Sequence, residues 1–77
     1  MEIKILGTGC QKCKMLEKLT RDVVKEAGIQ ANISKVDDFI EIMSYGVLST
    51  PALVVDGKLI VKGRIPSSSE LKSLLSQ

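Results

Sequence analysis

The sequence predicts an α/β domain with a four-stranded mixed sheet and the element order β-α-β-α-β-β-α. Three observations carry that expectation. Short runs with alternating apolar residues take turns with longer runs whose apolar residues recur at three- and four-residue steps. A strand, a helix and a second strand at the start imply a right-handed parallel crossover. Asp56-Gly57 between two β-rich runs marks a tight type I′ hairpin, which adds antiparallel strands.

Residues 1–6 form the first strand, rich in Ile and Leu, with Glu2 and Lys4 on one side. Gly7-Thr8-Gly9 breaks it and lets the backbone turn toward Cys10. From Gln11 the period changes. Cys13, Leu16, Leu19 or Thr20, Val23 and Ala27 make one face of a helix, Lys14, Glu17, Lys18, Arg21, Asp22 and Lys25 the other, and Gly28 closes it. Ile29 to Val36 alternates as a second strand, with Ala31, Ile33 and Val36 on or near one face. Asp37 or Asp38 caps a short helix carrying Phe39, Ile40 and Met43, and Gly46 ends it. Val47 to Thr50 connects to Pro51. Ala52-Leu53-Val54-Val55 and Lys58-Leu59-Ile60-Val61 flank the Asp56-Gly57 turn, and Gly63 lets the chain leave the sheet. Pro66 to Glu70 opens the last helix, with Ser67 as cap and Glu70 completing a capping box, and Leu71, Leu74 and Leu75 dock it. No repeat, low-complexity tract or linker divides the chain, so residues 1–77 are expected to form a single domain.

Composition bounds the function. Aromatic residues make up 3% of the chain and the net charge of +2 is scattered, with no basic stripe. Nucleic-acid binding is therefore not expected, since there is almost nothing on which a base could stack. No apolar run approaches the roughly 18 residues of a membrane span. The N-terminus lacks the basic start and long apolar middle of a signal peptide, so the expectation is a cytoplasmic monomer with no membrane contact. Thiols are held reduced in that compartment, which favours a catalytic or metal-binding use for the two cysteines over a static staple. Their short loop agrees, being worth only about 2 kcal/mol as a cross-link.

Those two cysteines are Cys10 and Cys13, at the junction of strand and helix. Residues i and i+3 share a helix face, so the sulfurs are within reach of each other. Cys10 falls at the helix entry, where free N–H groups and the positive end of the dipole favour an anion. Cys13 is one turn in, on the apolar stripe, and is expected to be more buried. Lys12 and Lys14 add positive charge. A thiol near pKa 8.5 is only a few per cent ionised at pH 7, and lowering it to about 7 yields roughly tenfold more thiolate. The pair can serve thiol–disulfide exchange or hold a soft metal ion. A structural zinc site needs four ligands and the chain has two Cys and no His, so a metal reading requires a shared site or a two-coordinate ion such as Cu(I).

Farther along, Ser49-Thr50-Pro51 precedes the hairpin, Tyr45-Gly46-Val47 leads into it, and Gly63-Arg64 follows. A strand, Cys-x-x-Cys opening a helix and this Pro-led hairpin together resemble the thioredoxin and glutaredoxin superfamily. The nearest branch is the small archaeal and bacterial thioredoxin-like redox-active disulfide proteins, and the resemblance spans essentially the whole chain. It implies a minimal thioredoxin-like fold with helices on both faces of the sheet. It also implies a cytoplasmic disulfide oxidoreductase that reduces protein disulfides through a redox-active Cys10–Cys13 disulfide, with no other cofactor and no metal. Its partners would be protein disulfide substrates and an upstream reductase or dithiol donor. Cys10 would attack the substrate and Cys13 resolve the mixed disulfide, Pro51 would be cis, and the Thr50 backbone would pair with the substrate strand. Gln11 and Lys12 would tune the thiols.

Three positions depart from the pattern. Gln11-Lys12 replaces the Gly-Pro of thioredoxins, so the reduction potential does not carry over from a family range of about −270 to −120 mV. Lys4 stands where thioredoxins place a buried carboxylate that accepts the proton of the resolving thiol, and Thr8-Gly9 replaces the usual Trp. Lys62 and Arg64 fall near where glutaredoxins hold glutathione carboxylates, but solvated charges at a strand end are the preferred explanation.

Overall fold

The computed structural model describes residues 1–76, so Gln77, the last position of the expected domain, lies outside the described residues. Seven elements follow in the expected order: β1 (Glu2–Leu6), α1 (Gln11–Glu26), β2 (Asn32–Val36), α2 (Phe39–Ser44), β3 (Ala52–Val55), β4 (Lys58–Lys62) and α3 (Ser68–Leu75). The strands lie in the order β2-β1-β3-β4. β1 runs parallel to β2, with Glu2 opposite Asn32 and Leu6 opposite Val36. It runs antiparallel to β3, with Ile3 opposite Val55 and Leu6 opposite Ala52. The sheet is therefore mixed, and β1 sits inside it.

Alternation along β1 and β3 divides the apolar side chains between two layers. Ile3, Ile5 and Leu53 meet Leu16, Val23 and Val24 of α1 and Leu71 and Leu75 of α3 on one face. Leu6, Ala52 and Val54 meet Ile42 of α2, together with Val36 and Val47, on the other. Thr20 resolves the choice left open on α1. It is fully buried, and its hydroxyl donates to the Leu16 carbonyl at 2.8 Å, so that hydroxyl is not stranded in the core.

The hairpin turn is as the dipeptide demands. Asp56 and Gly57 both have positive φ, +49° and +83°, which is what a type I′ turn requires.

The sequence leaves one point in α2 open, and three local expectations elsewhere need correction. In α2 the buried residue is Ile42, whereas Phe39, Ile40 and Met43 are exposed; a helix of six residues points only a narrow stripe at the sheet. β2 begins at Asn32 rather than Ile29, because its ladder partner β1 begins at Glu2 and the Ile29 N–H is already bonded to the Val24 carbonyl. Val36 faces α2 while Ala31 and Ile33 face α1, as a period of two requires. In α3 the Ser67 hydroxyl accepts from the Glu70 N–H at 3.1 Å, but the Glu70 carboxylate turns to Arg64, with contacts of 3.1 and 2.6 Å. Half of the capping box forms; the forked guanidinium takes the other half.

Candidate active site

The link from β1 to α1 sets the two sulfurs. The Gly7 N–H donates to the Val36 carbonyl at 2.9 Å, extending the parallel ladder one residue past β1. Cys10 then adopts an extended backbone as N-cap of α1, with φ −68° and ψ 167°. Its carbonyl accepts from the Lys14 N–H at 3.0 Å, and its Sγ accepts from the Cys13 N–H at 3.2 Å. A sulfur thus fills the place that a Ser or Asp oxygen usually takes at a helix start. Cys13, one turn in, forms a disulfide with Cys10 across a Cα separation of 5.0 Å. Cys10 is exposed, whereas Cys13 is buried at 6% exposure. The first turn of α1 carries no acidic residue, and Gln11, Lys12 and Lys14 stand exposed around it. The N–H groups of the helix end therefore favour an anion at Cys10, and the first turn of α1 carries basic residues and no carboxylate to oppose it.

Gly7 has a role that the sequence concealed. A Cβ there would overlap Cys13 Sγ and lie 2.9 Å from Cys13 Cβ, so the absence of a side chain is what lets the disulfide pack onto the strand end. Beside Cys13 runs a cleft of about 90 Å³ floored by Ile5 and Gly7, with Lys14, Glu17, Lys35 and Asp37 among its walls.

The second half of the site comes from the loop before β3. The Thr50–Pro51 peptide bond is cis, as the resemblance implied, and Pro51 is fully buried. The Pro51 carbonyl accepts from the Gly63 N–H at 2.8 Å. Gly63 has φ +71°, and a Cβ there would sit 3.1 Å from Ser49 Cβ, so β4 ends tightly against this loop. Thr50 shares a shallow groove of about 160 Å³ with Thr8, two residues before Cys10, and with exposed Phe39, Met43 and Leu48. Phe39 and Met43, two of the exposed apolar residues of α2, thus form an apolar surface with Leu48 next to the Cys10 loop.

Lys4 does not stand in for a carboxylate under Cys13. Ile3 and Ile5 of β1 face α1, so Lys4 faces α2, where its Nζ donates to the Tyr45 hydroxyl at 3.2 Å. That hydrogen bond holds the Lys4 ammonium above its ordinary pKa. Glu2 also faces away, accepting from Asn32 Nδ2 at 3.0 Å. The face of β1 that lies beneath the buried sulfur is therefore uncharged. Arg64 is engaged by Glu70; their hydrogen bonds push the guanidinium pKa up and the carboxyl below its usual range. Among the described residues, no group of three or more His, Cys, Asp or Glu is placed to hold a metal ion, and no helix is long and apolar enough to cross a membrane.

Residues 1–76 match a family described as a thioredoxin domain. A protein named thioredoxin from Methanothermobacter thermautotrophicus is 46% identical over 76 residues, covering 99% of each chain. Another of that name, from Methanocaldococcus jannaschii, is 41% identical over 73 residues, or 95% of this chain and 84% of the relative. A probable thioredoxin from Archaeoglobus fulgidus is 30% identical over 69 residues, or 86% of this chain and 75% of its own. A helix-capping cysteine pair, a cis proline before the hairpin, the family match over residues 1–76 and similarity to the first of these proteins along nearly its whole length all agree: the chain belongs to the thioredoxin family.

Proposed function

We propose a division of labour within the thiol–disulfide oxidoreductase that this chain is: Cys10 attacks protein disulfides and Cys13 resolves the product. The observation that carries it is the asymmetry of the pair, with Cys10 exposed at the N-cap of α1 and Cys13 buried behind it. In the reduced protein a Cys10 thiolate is favoured by the N-terminal N–H groups of α1. It attacks one sulfur of the substrate disulfide, a Cys10–substrate bond forms, and the other substrate sulfur leaves as a thiolate and takes up a proton. Cys13 then gives up its proton and attacks Cys10 Sγ. The Cys10–Cys13 bond closes, the second substrate thiol is released, and two electrons have passed from protein to substrate. An upstream reductase or dithiol donor returns the pair to the reduced form, in a reducing compartment such as the cytoplasm.

The remaining residues have supporting roles in this reading. The Thr50 backbone, next to Pro51, pairs with the extended substrate segment, and the apolar groove shared with Thr8 and Phe39 takes neighbouring side chains. Gln11 and Lys12, between the sulfurs, set how far the thiolate is favoured. The test is reduction of insulin disulfides with dithiothreitol as donor. The chain is expected to accelerate it, and Cys10→Ser to abolish the acceleration. Stoichiometric Cu(I) uptake without any disulfide turnover would replace this reading with that of a metal carrier.

A further inference from the structure

The resolving step requires Cys13 to lose a proton, and no residue of β1 on its face can take part, because that face presents Ile3 and Ile5, with Gly7 just past the strand end. The charged residues near Cys13 come from elsewhere. Four line the cleft beside it: Lys14 and Glu17 from α1, Lys35 from β2, and Asp37 just after β2. Glu17 differs from the others. Its side chain is only 21% exposed, and both its oxygens are tethered, Oε2 by Arg21 Nε at 3.1 Å and Oε1 by Lys35 Nζ at 3.5 Å. It also lies four residues past Cys13, which puts it on the same helix face about 5–6 Å away at the Cβ level. Tethering keeps this carboxylate at the cleft when it could otherwise swing into solvent. Lys35 brings an opposite charge to the same place from the neighbouring strand.

We propose that the Glu17–Lys35 pair is a positioning pair that sets when Cys13 ionises, and hence how long the mixed disulfide on Cys10 persists. The inference rests on the exchange reading above. Glu17 disfavours a thiolate at Cys13 and keeps the proton on it while Cys10 carries the charge; Lys35 works in the opposite direction. Lys14 adds to the effect of Lys35 and Asp37 to that of Glu17, and both are exposed and more strongly screened. Arg21 holds Glu17 in place from the solvent side.

Two substitutions that break one ion pair should weaken folding alike, whereas their effects on Cys13 should have opposite signs. The reduced chain is mixed with 5,5′-dithiobis(2-nitrobenzoate). Cys10 releases one thionitrobenzoate and becomes the mixed disulfide; Cys13 then releases the second as the Cys10–Cys13 bond closes, with two electrons passing to the reagent and two protons to solvent. The second phase is unimolecular, and its pH profile reports the ionisation of Cys13. In Glu17→Gln its midpoint is expected to fall by about half a pH unit, and in Lys35→Gln to rise by about as much. The double variant should return near the original, and the first phase should change by less than about twofold in all three. Shifts of the same sign in both single variants, or no shift while both lower the unfolding midpoint, would show that the pair only ties α1 to β2. Release of a single thionitrobenzoate by the unsubstituted chain is a separate failure, that of the exchange reading itself.

Discussion

At the scale of single residues, the site depends on what is absent as much as on what is present. Gly7 matters because nothing projects from it toward Cys13 Sγ. Gly7→Ala is expected to lower stability by about 1–3 kcal/mol as the disulfide shifts off the strand end, read from urea unfolding of the oxidised protein. It should also slow closure of the Cys10–Cys13 bond. Cys13→Ser is expected to leave the first attack intact and accumulate a stable Cys10 mixed disulfide, visible as a mass increase equal to the bound thiol. Loss of that adduct in the variant would remove Cys13 from the resolving role. The two cysteines were legible in the sequence because their identity and spacing carry the chemistry. Gly7 was not, since a glycine after a strand reads equally as a breaker. The setting of Lys4 was hidden too: its partner Tyr45 lies 41 residues away, and only the pleat decides which layer it enters.

At the scale of elements, order and kind were readable throughout, because each element has its own period or its own turn dipeptide. What escaped were choices between neighbouring positions. The apolar residues of α2 do not by themselves say which one is buried, and a six-residue helix has room to bury only Ile42. Glu70 looks like half of a capping box until Arg64, outside the helix, competes for it. That competition has a pH signature. The folded-state pKa of Glu70 is depressed by Arg64, so its contribution to stability is present above the unfolded carboxylate range and lost as pH falls through the lower folded value. Both groups are exposed, so the slope should be shallow and flatten in high salt; Glu70→Gln should remove it, as thermal unfolding across acidic pH would show. The β3–β4 turn offers a sharper contrast. Asp56 has φ +49°, and its Oδ1 accepts from the Glu2 N–H at 2.8 Å. Asp56→Ala should cost about 1–2 kcal/mol, whereas Asp56→Asn, which keeps the acceptor and tolerates the backbone, should stay within about 0.5.

At the scale of the molecule, the two sides of the sheet are unequal. One is covered by α1 and α3, of 16 and 8 residues, the other by α2, of 6. Leu53→Ala, in the thicker layer, is expected to cost about 2–5 kcal/mol in urea unfolding, since a fully buried side chain there is enclosed by two helices and the sheet. The inequality also grades motion. Amide hydrogens of α2 should exchange with deuterium through small, frequent openings, and those of β1 and the middle of α1 only when the whole chain unfolds. Uniform protection across the three helices would contradict this. The side expected to loosen first leads straight into Thr50 and Pro51 and carries Phe39 and Met43. Under the proposed function, openings of this kind would let the wall beside Thr50 remould around a bound partner while the platform beneath the sulfurs stays still, so that one fixed chemistry serves targets of varied shape.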